Sequence, residues 1–195
     1  MKEDVLIKIA KLITENDTDV VEEVKACISD IQAYMDMHLE EFEEYCLNLD
    51  SYAEEDLQWI GMVNCLRYNN YIAEFADDVN ITDFGWGLKS LKNFERFNLD
   101  LDTQFQNEDY GIERYDEYAD DDDNYSYDSE DEFLESDDIV SWCKILDSKW
   151  ADEDICLGMI DIENDKYLIF PVEVKVLEQL EDLADSIDKH ISSVY

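Results

Sequence analysis

Residues 155–162 read ICLGMIDI and residues 167–172 read YLIFPV, with only the polar stretch ENDK between them. Two apolar runs joined by so short a turn bury their side chains by folding back on each other as an antiparallel hairpin. Pro171 has no backbone donor and suits the end of a strand or the start of a helix. The hairpin sets the fold class, because nearly everything around it reads as helix. A chain of 195 residues is long enough for one domain with a real core. The expectation is a helix-rich α+β domain spanning 1–195, with a small antiparallel sheet covered by helices.

The helices follow from apolar spacing. Val5, Ile9, Leu12 and Ile13 share one face of a helix over 3–15, and the run Asp17, Thr18, Asp19 ends it. Asp19 with Glu22 has the spacing of a capping box. From there Val20, Val24, Cys27, Ile31, Tyr34, His38, Phe42, Tyr45 and Leu49 form an apolar stripe, one long helix or two with a kink. Ser51 with Glu54 repeats the capping pattern before a helix that turns Leu57, Ile60, Val63 and Leu66 inward and stops at Asn69 and Asn70, so that 1–68 is a helical part of the domain. YIAEFA at 71–76 alternates as a short strand. Thr82 is placed to cap the next helix, with Phe84, Leu88 and Leu91 inward and Lys89, Lys92 and Arg96 as its positive charges. IVSWCKIL at 139–146 fits a strand or a short helix equally. A final helix turns Leu177, Leu180, Ala184, Ile187 and Ile191 inward.

Charge bears on function more than on fold. The chain carries 53 Asp and Glu against 14 Lys and Arg, a formal net charge of -39. Residues 108–138 hold 16 of the acids and one Arg, so an acidic insertion is present, yet most of the excess lies elsewhere. A field of this sign repels nucleic acid and anionic membranes and speeds encounter with cationic proteins. Direct nucleic-acid binding is therefore not expected. MKEDVLIKIAKLITEN breaks its apolar residues with Lys and Glu at helical spacing, unlike a secretory leader, and no apolar run reaches membrane-spanning length. The five cysteines are odd in number and form no CxxC pair, as in a reduced, cytoplasmic protein.

The catalytic repertoire is thin. His38 lies on the apolar stripe and reads as a hydrogen-bonded residue at the core edge. His190 falls near the end of the final helix, where the helix dipole favours a positive charge. GWG at 85–87 lacks a following Lys-Ser/Thr and makes no phosphate cradle, and Trp86 reads as a core or interface aromatic. No triad, nucleophile elbow or zinc spacing is present, and no cofactor is indicated.

Within the insertion, Asp120, Asp122, Asn124, Ser126, Asp128 and Asp131 match the ligand positions of a calcium loop. Two decisive positions fail: Tyr125 stands where the turn needs Gly, and Asp131 where a bidentate Glu is needed. Tyr110, Tyr115, Tyr118, Tyr125 and Tyr127 interleave the acids, and Ser129 precedes Glu-Asp-Glu in the manner of an acidophilic kinase site. Aromatics are scarce in plain acidic linkers, so this segment reads as one that packs or docks. The candidate partner-binding residues are Tyr118, Asp120, Asp121, Asp122, Asp123, Tyr125, Tyr127, Asp128, Glu130, Asp131 and Glu132.

NNYIAEFADDVNITDFGWGLKSL and IDIENDKYLIFPVEVKVLEQLEDLADSI resemble segments of uncharacterised small acidic bacterial proteins, some of them similar to immunity proteins of polymorphic toxin systems. The resemblance covers about 71–91 and 155–189, under a third of the chain, and the acidic insertion departs from it. It implies an intracellular α+β protein without catalytic residues that binds and blocks one partner. Charge leads to the same expectation, a non-catalytic binding protein that inhibits a basic partner such as a toxin nuclease. Two alternatives stand beside it: a nucleic-acid mimic that inhibits DNA-binding or host defence enzymes, and an ion-binding or acidic regulatory protein.

Overall fold

The computed structural model describes residues 2–45, 51–101 and 138–195. The hairpin is its centre. β2 (Ile155–Asp161) pairs with β3 (Lys166–Glu173), β1 (Ala73–Ala76) adds to the outer side of β3, and β4 (His190–Ser193) adds to the outer side of β2. The order is β1-β3-β2-β4 and every neighbouring pair is antiparallel.

Strand alternation divides the apolar residues between two cores. Leu168 and Phe170 of β3, Cys156 and Ile160 of β2 and Ile191 of β4 face α1 (Lys2–Ile13), α2 (Thr18–Ser29), α3 (Ile31–Met37), α5 (Glu54–Tyr68) and α9 (Val174–Asp185). Ile169 of β3, Ile155 and Leu157 of β2, and Ala73 and Phe75 of β1 face α6 (Ile81–Lys89), α7 (Lys92–Arg96) and α8 (Ile139–Trp150). A sheet apolar on both faces has to be covered on both, and these helices do so. α4 (Leu39–Tyr45) contributes Phe42 to the first core. Among the described residues no helix is long and apolar enough to cross a membrane.

Pro171 sits inside β3 opposite Leu157, not at a strand end. β1 stops at Ala73, opposite Ile169, so at Pro171 the side of β3 away from β2 has no strand. There the amide of Asn93, 1% exposed, donates to the Pro171 carbonyl at 3.2 Å and to the Ile13 carbonyl at 2.9 Å. The proline therefore removes no donor that the ladder needs.

Helix ends account for most departures from the sequence expectations. α1 stops at Ile13 rather than 15, because Glu15 and Asn16 turn the chain with φ of 49° and 67°. Asp17, not Asp19, caps α2, accepting from the Asp19 and Val20 amides at 3.2 and 3.4 Å. The stripe from 20 to 49 is not one helix: Asp30 caps α3 through the Ala33 amide at 3.1 Å, and the chain bends again at His38. Ile31, Tyr34 and Phe42 are buried as the stripe requires, while Leu49 lies outside the described residues. α5 begins at Glu54, with Asp56 accepting from the Ala53 amide at 3.3 Å, so the Ser51/Glu54 box does not form. Asn80, not Thr82, caps α6 through the Asp83 amide at 2.9 Å. The ambiguous run 139–146 is helix, started by Asp138 accepting from Ser141 at 2.8 Å, a bond that also holds the Asp138 carboxyl below the usual carboxylate range.

The largest correction is at the C-terminal end. The final helix does not reach Ile191; α9 ends at Asp185, Asp188 takes φ 60°, and β4 follows. Ile187 and Ile191 are both buried, so a four-residue spacing read as helix is met by a turn and a strand. His190 consequently opens a strand and has no helix dipole to neutralise.

Two close approaches explain scarce glycines. α5 is buried from Gln58 through Leu66, and a Cβ on Gly61 would lie 2.6 Å from the Cys27 sulfur and 2.9 Å from Ile31 Cδ1. A Cβ on Gly87 would collide with the Phe75 ring, which gives the GWG sequence a packing role.

Candidate binding cleft

A cleft of about 390 Å³ opens where the start of α5, the β2–β3 turn and the α9–β4 turn meet. Tyr52, Trp59 and Ile60 line it from the α5 side. Trp59 is 2% exposed and its indole donates to the Asp161 carbonyl at 3.0 Å, which fixes the turn against the helix. The turn is further shaped by side chains: Asp161 accepts from the Glu163 amide at 2.6 Å, and Glu163 takes φ 60°. On the third side, Ile187 and Lys189 donate backbone hydrogen bonds to the Ala184 carbonyl as the chain leaves α9.

The cleft has a marked charge imbalance. Asp56, Asp161, Glu163, Asp185 and Asp188 line it against Lys189 and His190. Lys189 already donates to Asp56 at 2.5 Å, across 133 residues of sequence. That contact holds the Asp56 carboxyl below the usual carboxylate range. Asp185 and His190 are 3.9 Å apart and both well exposed. The described lining contains no Ser, Thr or Cys beside them. Chemically, the arrangement presents carboxylates suited to a cationic group.

The other titratable side chain in an unusual setting is Asp147 of α8, 9% exposed. It accepts from the Leu157 amide at 2.8 Å and from the Tyr195 hydroxyl at 3.0 Å, joining α8 to β2 and to the chain end. Burial pushes its carboxyl up to about 6, against the lowering effect of those two bonds. Burial also pushes the nearby Cys143 thiol well up and that of Cys156 to about 12, so neither is a thiolate nucleophile near neutral pH. Cys27 and Cys65 are buried in the other core, and their pairing by hydrogen bond raises Cys27.

The predicted partner-binding residues, Tyr118 through Glu132, lie outside the described residues, as do the calcium positions, Ser129 and Cys46. Among the described residues, no group of three or more His, Cys, Asp or Glu is placed to hold a metal ion. His38 is half-buried at the core edge, its ring 4.4 Å from that of Tyr34. Trp86 is 60% exposed, so it is no core residue. Sequence reasoning missed the cleft because its three walls are distant along the chain. The only local signals were ENDK and the acids around His190.

The family model described as Domain of unknown function (DUF6630) matches residues 5–195, a span that includes the acidic insertion. No curated protein matches the chain, and no solved structure does.

Proposed function

We propose that this chain, which belongs to the DUF6630 family, is a non-catalytic acidic binding protein that inhibits a cationic protein, and specifically an immunity protein that neutralises a toxin such as a nuclease. The observation that carries the reading is the unbalanced cleft: five carboxylates line it, and its lysine is already held by one of them. A guanidinium or ammonium group entering there meets Asp161, Glu163, Asp185 and Asp188 beside the Asp56–Lys189 pair. Each exposed carboxylate contributes at most about 1 kcal/mol, so the affinity would come from several acting together.

The test is co-expression with the product of the adjacent gene, followed by purification and a cell-survival assay. The expected result is a complex that weakens about tenfold or more between low and high salt, with protection of the cells. A complex insensitive to salt, or none together with no protection, refutes the proposal. Displacement of several unrelated DNA-binding proteins from DNA would favour the nucleic-acid mimic instead.

A further inference from the structure

Six large apolar side chains are exposed among the described residues, and three of them flank His38: Met37 at 72% and Leu39 at 47% on either side of it in sequence, and Tyr68 at 43%, whose ring lies 5.6 Å from the His38 ring. The reason is the break between α3 and α4. Met37 ends α3, His38 takes φ -126° and ψ 35° at the bend, and Leu39 begins α4. The stripe turns Tyr34 and Phe42 into the core, which leaves Met37 and Leu39 on the outside.

The corner is held rigidly from beneath. The His38 ring lies 4.4 Å from Tyr34 and 5.6 Å from Tyr68, and Tyr34 accepts from the buried Cys65 thiol at 3.4 Å. On the other side of Tyr68, the Arg67 guanidinium sits 5.0 Å from the ring centroid while bonded to Glu74 at 2.9 Å. An exposed apolar patch on a preorganised aromatic support has the make-up of an interface anchor. The chain on either side of Met37 and Leu39 is acidic: Asp36, Glu40 and Glu43 are all exposed.

Charge selects the occupant. A second copy would bring another -39, and the chain's own insertion carries 16 acids against one Arg, so both are repelled from these acids. We infer that the Met37–Leu39–Tyr68 corner is a docking surface for a basic protein segment that presents an aliphatic side chain between lysines or arginines. This deepens the proposed function, on which it rests, by adding an apolar anchor to the acidic field.

The test uses the full chain and two synthetic peptides of equal charge, monomeric at the concentrations used. One repeats lysine and leucine at helical spacing; the other has serine at every leucine. At physiological salt the leucine peptide is expected to bind about tenfold more tightly, and Met37→Ser with Leu39→Ser to reduce that preference to about twofold. Trp86→Ser, also exposed, should keep the tenfold preference. An undiminished preference in the double variant overturns the docking surface while leaving the acidic-binder reading intact. Failure of both peptides to bind the unmodified chain saturably overturns that reading, and the inference with it. Concentration-dependent dimerisation of the chain alone, abolished by the double variant, would assign the corner to self-association instead.

Discussion

The buried carboxyl of Asp147 makes stability depend on pH in a direction opposite to that of most carboxylates. Its folded-state value of about 6 lies above the ordinary 3.8, so the folded state binds the proton more tightly than the unfolded chain does. The stabilisation is fully present below the unfolded value and is lost as pH rises through the folded one. Over that whole window the loss amounts to about 3 kcal/mol, and about 1.4 kcal/mol of it falls between about pH 5 and about pH 7.5. Other groups titrate in parallel, and Asp17, Asp56 and Asp138, all lowered, act in the opposite sense. The informative quantity is therefore a difference against Asp147→Asn, which keeps an acceptor for the Leu157 amide and cannot ionise. Urea unfolding at high salt, followed by tryptophan fluorescence, reads it. The variant should gain about 1.4 kcal/mol relative to the unmodified chain between about pH 5 and about pH 7.5. A difference flat with pH, or one of opposite slope, would falsify the account of Asp147 as a desolvated carboxyl.

Asn64 is 0% exposed and neither atom of its amide bonds a partner among the described residues. Asn64→Leu should therefore raise stability by about 1 kcal/mol or more in urea, and a loss of similar size would contradict this. Gly61→Ala should lower stability by about 1–3 kcal/mol because its Cβ meets the Cys27 sulfur, and Cys27→Ala should recover part of that in a double-mutant cycle. Simple additivity of the two changes would show that the contact is not what excludes a side chain at 61. Sodium chloride should raise the melting temperature by several degrees between about 20 mM and about 500 mM, since it screens the self-repulsion of a -39 chain. A fall over that range would mean that internal ion pairs outweigh the repulsion.

What was legible in the sequence was legible for a physical reason. The hairpin is a local signal, with both strands and the turn within 19 residues, and it forms as expected. Apolar spacing located the buried faces of the helices, because period and burial are the same fact seen twice. Continuity was harder. An apolar stripe constrains which residues face inward but not whether the backbone between them stays helical, and Asp30 and His38 interrupt it without disturbing the stripe. β4 was hidden for a related reason: Ile187 and Ile191 keep the helical interval across a turn at Asp188. Capping residues shifted by a few positions because acids are so frequent here that several Asp and Ser residues compete for each helix start. The cleft was illegible since it exists only where residues 52–60, 161–163 and 185–190 are brought together.

The core and the charge occupy different parts of the molecule, and this separation shapes how it would meet a partner. Several acids serve the fold: Asp17, Asp30 and Asp138 cap helices, and Asp147 bridges α8 to β2. The cations are largely engaged by the chain's own carboxylates, with Lys2, Lys25, Arg67, Lys92, Arg96, Lys166 and Lys189 all in ion pairs. Among the described residues these seven cations are thus neutralised locally, which leaves the outward field to the surplus acids. Such a field acts at a distance and on the rate of encounter, and it weakens as salt shortens the Debye length. The Met37–Leu39–Tyr68 corner would act only in contact, through apolar area that salt does not screen, and so would govern how long a bound partner stays. An acidic surface alone would hold any cationic protein briefly. Specificity for one partner would require a shaped apolar contact within that surface, and the proposed one lies at the bend at His38.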